Sequence, residues 1–384
     1  MRMILGITLA ATVMTAGLVP TLAEANADGA VYAMTNDLYH NEIAVFDRSD
    51  DGTLSLRGYY PTGGRGVGDT TEPVDALGSQ APLVLSEDGN WLLAVNAGSN
   101  QISLFRVRRN GLQLVDVVDS GGLHPASIAV HGDLVYVLNS GGEGNLTGFY
   151  RTWYGRLVQI PGSTRSLDVG GSNPPFFLVS PAQIGIDPDG EVIVVTVKGT
   201  DEIRTYPLDH HGSPSATPVI TESHGSTPFG FAFDGNGHLV VAEPFGNASP
   251  GEPNTSAVSS YRIHADGTLD LISASVENGQ TATCWAVTDG RFVFTTNNAT
   301  DTISSYRIDD KGGLTLFASE GIAAATEHAP VDAALTPDGR FLYNLDAGEG
   351  TVSMFRVEAN GSLTALGHVT GLPVDAGAVG MAAR

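Results

Sequence analysis

Apolar and polar residues alternate along most of this chain in short runs, each closed by Asp-Gly, Asn-Gly or a polar cluster. Alternation with a period of two, in runs rich in Val, Ile, Phe and Tyr, predicts half-buried β-strands. Asp-Gly and Asn-Gly between two such runs predict tight hairpins, because glycine readily takes the positive φ they need. Four stretches repeat the pattern almost word for word: SEDGNWLLAVNAGSNQISLFRV from Ser86, IDPDGEVIVVTVKGTDEIRTYPL from Ile186, VTDGRFVFTTNNATDTISSYRI from Val287 and TPDGRFLYNLDAGEGTVSMFRV from Thr336. An aromatic–Arg step recurs at Phe105-Arg106, Tyr261-Arg262, Tyr306-Arg307 and Phe355-Arg356.

Each repeat predicts four strands: an apolar inner strand, a β-branched and aromatic second strand, a third ending in the aromatic–Arg step, and a fourth opened by a second Gly turn. A repeat of this size made only of strands predicts a β-propeller. Counting repeats gives seven blades of four strands in an all-β fold. The first three strands of blade one fall between about Gly29 and Gly64, and later blades start near Ser79, His124, Ser180, Thr227, Thr281 and Ala329. Blade one lacks an inner strand, and the apolar tail AGAVGMAAR after Asp375 lacks a partner. The C-terminus is therefore expected to supply that strand and close the ring, which removes exposed sheet edges.

Three insertions interrupt the repeat, at 61–78, 166–179 and 244–257, each rich in Gly, Pro and polar residues. Such segments either cover one mouth of the axial channel or decorate the surface. Two sets of equivalent positions emerge. Asn36, Asn96, Asn139, Asn297 and Asp346 share the end of the second strand, where a side chain capping its own turn explains them. The starts of the inner strands agree less: Ala81-Pro82, His124-Pro125, Ala182-Gln183, Phe229-Gly230, Ala282-Thr283 and Val331-Asp332. These positions approach the propeller axis, where a ligand pocket is expected. The candidate catalytic residues are His124, Glu243 and Asp332, since an imidazole with nearby carboxylates can do general acid–base work if the groups converge. Gln183, Phe229 and Thr283 are the candidate substrate-binding residues. A plain loop role before Pro125 is the alternative for His124.

Composition narrows the setting. Forty-eight glycines suit one large repeat fold, placed at 28–384, better than two domains. Arg2, the apolar run from Met3 to Val19 and the small residues around Ala23, Ala25 and Ala27 predict a cleaved export leader at 1–27, with an uncleaved N-terminal anchor as the alternative given the thin basic flank. The mature protein is then expected outside the cytoplasm, secreted or periplasmic, and free of the membrane. The 42 acidic residues against 19 basic ones give a net charge of −23, which leader cleavage leaves unchanged. Such a surface argues against nucleic acid or anionic lipid as a partner. The expected partner is a small molecule and the expected state a monomer. Cys284, the single cysteine, lies in the apolar run TCWAV and predicts a buried structural thiol; it rules out an intramolecular disulfide and a cysteine zinc cluster. GRGVG at 64–68 opens no helix and makes no phosphate loop, Asp47–Asp51 reads as a hairpin turn, and His210-His211 as a solvated turn pair.

The repeat phrases, the DGTL and NGSL hairpins and the seven-blade length resemble the lactonase family of seven-bladed propellers. That family includes propeller-type 6-phosphogluconolactonases and fungal carboxymuconate-lactonising enzymes. The resemblance covers essentially Gly29 to Arg384 and implies a metal-independent, cofactor-free activity that opens or closes lactone rings. Family enzymes tend to carry a GPHxH-type start to a blade; the matching text here, GGLHPASIAVHGDLVYVLNSGG, keeps His124 and has Ser127 and Asn139-Ser140-Gly141 later on. Where such enzymes often open the next blade with Gly-Pro-Arg-His and later supply a Glu, this chain has SPAQ from Ser180 and TVK at Thr196–Lys198. A non-catalytic propeller that binds a small molecule, glycan or protein is the alternative function.

Overall fold

The structure, a computed structural model, describes residues 29–69, 75–318 and 320–384, so the expected leader at 1–27 lies outside the described residues. Seven antiparallel sheets follow one another along the chain, almost without helix. Blade one consists of Gly29–Met34, Glu42–Arg48 and Leu54–Pro61, with Val379–Ala383 added to the edge of Gly29–Met34. Blades two to seven begin with inner strands at Leu83–Leu85, Pro125–His131, Pro181–Ile186, Phe231–Phe233, Thr283–Thr288 and Pro330–Leu335. The architecture is the expected one, and blades three and six each gain a short fifth strand, at Arg165–Ser166 and Ala324–Ala325.

Ring closure rests on main-chain pairing and on side chains of the first and last blades, among them Asn36, whose Nδ2 donates to Gly377 O at 2.9 Å. The C-terminal strand runs antiparallel to Gly29–Met34 with Val31 opposite Ala383 and Ala33 opposite Met381, and all five of its residues are buried. On its other flank, Asp332 of blade seven accepts the Gly380 N–H at 2.6 Å. The closing strand is thus gripped by the first blade and the last.

The aromatic of each aromatic–Arg step is a wedge between blades. Tyr261 packs with Val194 and Ile203 of blade four, Tyr306 with Val240 and Val258 of blade five, and Phe355 with Phe294 and Ile303 of blade six. Each ring removes a large apolar area from water at a blade junction, worth about 1.5–3 kcal/mol. The following Arg faces outward, and Arg106 lies over the Trp91 ring at 4.5 Å.

The axis is occupied by the chain itself. After the first insertion, Ser79 and Gln80 cross among the inner strands. Ser79 Oγ donates to Ala126 O of blade three at 2.7 Å, and Gln80 N donates to Ala182 O of blade four at 3.2 Å. The Gln80 amide donates to Ala286 O of blade six at 2.8 Å and accepts from Ala286 N at 2.9 Å. The same Nε2 reaches Phe231 O of blade five at 3.3 Å, and Trp285 Nε1 donates to Ser79 O at 2.9 Å. Residue 230 has to be glycine for this plug to fit, since a Cβ there would overlap Gln80 Oε1.

Candidate functional site

The sequence places Asn or Asp at the ends of five second strands, and the structure wires them into the sheets. Asn96 accepts from Asn41 Nδ2 at 3.0 Å and donates to Ser103 Oγ at 2.7 Å, which links blades one and two. Asp346 Oδ2 accepts from Ser353 Oγ at 2.7 Å and from Ser353 N at 3.1 Å, within its own blade. Glu243 occupies the same position in blade five. Its carboxylate is buried and accepts from Gly225 N at 2.9 Å and Ser275 Oγ at 2.7 Å; burial raises its pKa, and these hydrogen bonds oppose the rise. Its acceptors face its own hairpin and the incoming loop.

A second recurring device sets the inner-strand starts. Asn100, Asp201 and Asp301 each adopt a left-handed conformation after a single 3-10 turn. Their side chains accept the N–H of His124, Thr227 and Ala329 at 2.8, 2.6 and 2.8 Å, and these three residues are themselves at positive φ. The backbone of His124 is therefore one copy of an inter-blade latch, and only its imidazole is distinctive. That ring is 2 % exposed, its Nε2 has no hydrogen-bond partner, and burial lowers its pKa to about 4.

The remaining candidates separate. Gln183 uses both ends of its amide on one residue, accepting Phe231 N at 2.6 Å and donating to Phe231 O at 3.1 Å, so it stitches blade four to blade five. Thr283 donates to Asn297 Oδ1 and accepts from Asn278 Nδ2 inside blade six. Asp332 faces Gly380 and the plug, and burial lifts its carboxyl to about 8, opposed by the Gly380 N–H and reinforced by the Asp75 charge. Of the six expected site residues, Phe229 alone lines the cavity that the fold builds.

That cavity, of about 320 Å³, lies at the mouth where the inner strands begin. All three insertions wall it: Asp75 from the first, Phe177 and Leu178 from the second, Pro244 and Phe245 from the third. Thr227, Phe229, Ala282, Cys284, Trp285 and Asn298 from blades five and six complete it. Phe229 and Trp285 meet edge to face with centroids 5.3 Å apart. Below Phe229, the Lys198 ammonium sits 4.5 Å from the ring centre, 2 % exposed, and donates to Gly78 O. Burial lowers the Lys198 pKa to about 8, against the pull of the Asp75 charge. The Cys284 thiol, on the cavity wall, is pushed up by burial and by the Asp75 charge, so it stays protonated. A small, mostly apolar cavity with a few converging ionisable groups of displaced pKa is the usual form of a ligand site. Asp75 and Lys198 left no signal in the repeat, because they act across the ring from an irregular loop and a strand end.

A larger hollow of about 580 Å³ opens on the opposite face, among the Asp-Gly turns of blades five to seven. Its aspartates are committed to their own turns. Asp234 accepts His238 N at 2.8 Å, Asp289 accepts Phe292 N at 2.7 Å, and Asp338 accepts Thr336 Oγ1 at 2.6 Å. Among the described residues, no group of three or more His, Cys, Asp or Glu side chains could hold a metal ion.

Seven four-stranded blades and a closing C-terminal strand define a seven-bladed propeller, with a walled cavity at one mouth. The family described as Lactonase, 7-bladed beta-propeller matches residues 28–152 and 247–378, and the chain belongs to it. Solved structures agree in fold. The periplasmic gluconolactonase of Pseudomonas aeruginosa superposes with a TM-score of 0.69 at 18% identity, covering 91% of this chain and 99% of that one. A Bacteroides fragilis protein put forward as a 6-phosphogluconolactonase gives 0.65 at 18% identity, covering 94% and 99%. A Sulfolobus tokodaii protein called a hypothetical selenium-binding protein gives 0.65 at 11% identity, covering 92% and 93%. No curated protein matches. At these identities the likeness is one of fold, and a propeller fold hosts unrelated chemistries.

Proposed function

We propose that this protein hydrolyses a lactone in the mouth cavity, with the Asp75 carboxylate as the base. The observation that carries the reading is the meeting of the three insertions, which sets one carboxylate on an apolar wall beside a buried ammonium. Asp75 takes a proton from a water molecule as its oxygen adds to the lactone carbonyl carbon. The tetrahedral intermediate then collapses, the ring C–O bond breaks, and the proton passes from Asp75 to the departing ring oxygen, leaving a hydroxy acid. Lys198, behind the Phe229 ring, acts as a positioning residue: its cation offsets the Asp75 charge and holds the Gly78 carbonyl of the same loop. The placements of His124, Glu243 and Asp332 away from the cavity wall favour Asp75 over each of them as the base. The apolar leader-like N-terminus and the periplasmic gluconolactonase among the similar folds support export of the mature protein.

The test is turnover of a lactone panel followed by acid release at constant pH. Asp75→Asn is expected to lower kcat at least about a hundredfold, the usual scale for losing a general base. Its melting temperature should stay near that of the parent. Full activity in Asp75→Asn would remove this assignment. A second reading is binding without chemistry. It draws on the fact that Trp285 Nε1 and Asn298 Nδ2 already donate to Ser79 O and Pro330 O, at 2.9 and 3.0 Å. Saturable ligand binding with no turnover across the panel would establish that reading instead.

A further inference from the structure

The walls of the cavity also carry information about what enters it. Phe177, Leu178, Phe229, Pro244, Phe245 and Trp285 give it an apolar lining. A phosphorylated or carboxylated substrate would need a cation at the mouth, because burying an unpaired charge is strongly unfavourable. No Lys or Arg is among the residues that line the cavity, and the cations at Arg65, Arg165 and Lys198 are engaged elsewhere. Arg65 lies on a separate cleft beside Tyr39 and His40 and reaches Gly98 O at 3.3 Å. Arg165 donates to Ser215 O at 2.7 Å, to Gly162 O at 2.7 Å and to Pro214 O. Lys198 is turned onto Gly78 O and faces Asp75. Residues 70–74, which read TTEPV, contribute no cation by sequence. The net charge of −23 further opposes an approaching anion. A polyhydroxylated sugar ring fares little better, because each hydroxyl it buries requires a partner. The Trp285 and Asn298 donors are already engaged with the protein.

We infer that the substrate is an uncharged lactone bearing an alkyl or aryl substituent, which packs against Phe177, Phe229 and Phe245 while the ring ester faces Asp75. This rests on the hydrolase reading above and names the substrate class for that same site.

The experiment compares kcat/KM of the purified protein for δ-valerolactone, δ-decalactone, dihydrocoumarin, glucono-δ-lactone and its 6-phosphate, with spontaneous hydrolysis subtracted. The expected result is a rise of about fourfold per added methylene until the cavity fills. δ-Decalactone and dihydrocoumarin should exceed both sugar lactones by about a hundredfold or more. Leu178→Arg, at a half-exposed position on the wall, should depress the alkyl substrates and raise the 6-phosphate. Calorimetric titration with the lactam isosteres of δ-decalactone and gluconolactone separates the two claims. Preferred turnover of either sugar lactone overturns the substrate class and leaves lactone hydrolysis standing. Tight binding of the alkyl lactam with no turnover of any lactone supports the ligand class and overturns hydrolysis. Absence of both turnover and lactam binding overturns both.

Discussion

At the scale of single residues, several carboxyl groups are held away from their ordinary pKa by burial. Asp332 rises to about 8 and Asp346 to about 7, from an ordinary 3.8. A carboxyl whose value is raised on folding keeps its proton longer in the native state. Its contribution is fully present below the unfolded value and is lost as pH rises through the folded one. The melting temperature is therefore expected to carry a component that falls from about pH 4 to about pH 8, and Asp332→Asn with Asp346→Asn should remove it; an unchanged profile in the double variant would refute this. His124 works in the opposite sense. Lowered from 6.5 to about 4, it contributes stability above its unfolded value that is lost as pH falls through its folded one. His124→Leu should relieve that acid-side loss and leave lactone turnover within about twofold, since the ring is off the cavity wall. A hundredfold loss of kcat would return the base to His124. The presence of His124 at an inner-strand start was legible in the sequence. Its role in a latch was not, because the latch partner, Asn100, belongs to the previous blade, and the recurrence of Asn100, Asp201 and Asp301 shows no target within its own blade.

At the scale of elements, the repeat predicted the strands, their order and the closing tail with close agreement, since alternation and Asp-Gly turns are local signals. The wedge residues follow from the same repeat. Tyr306→Ala, which empties a fully buried site between blades five and six, should cost about 3–5 kcal/mol, measurable by denaturant unfolding. The insertions were legible as interruptions but not as a wall. Their convergence depends on distances across the ring that no local pattern encodes. Phe177→Ala and Phe245→Ala, at half-exposed positions, should each weaken ligand binding about tenfold by titration and leave unfolding within about 1 kcal/mol. Equal losses in binding and stability would instead mark these rings as ordinary packing.

At the scale of the whole molecule, two features hold the ring. Removing residues 377–384 strips seven buried residues, 377–383, from the junction of first and last blades. It should cost about 5 kcal/mol or more, comparable with the net stability of a whole domain. A truncated chain that melted like the full one would disprove closure by the C-terminal strand. The plug is the second feature. Gln80→Ala leaves the buried Ala286 N–H and C=O of blade six without their partner and should cost about 3 kcal/mol by the same measurement. Its effect also reaches the traffic of molecules. With Ser79 and Gln80 lying across the axis, the mouth cavity is a cup with one door. On the proposed hydrolysis, water, substrate and hydroxy-acid product would share that door, and the acid, whose carboxylate finds no cation on the apolar wall, would leave through it unaided. Steady-state turnover should accordingly show little competitive inhibition by the ring-opened acid, and strong inhibition would refute the cation-free wall.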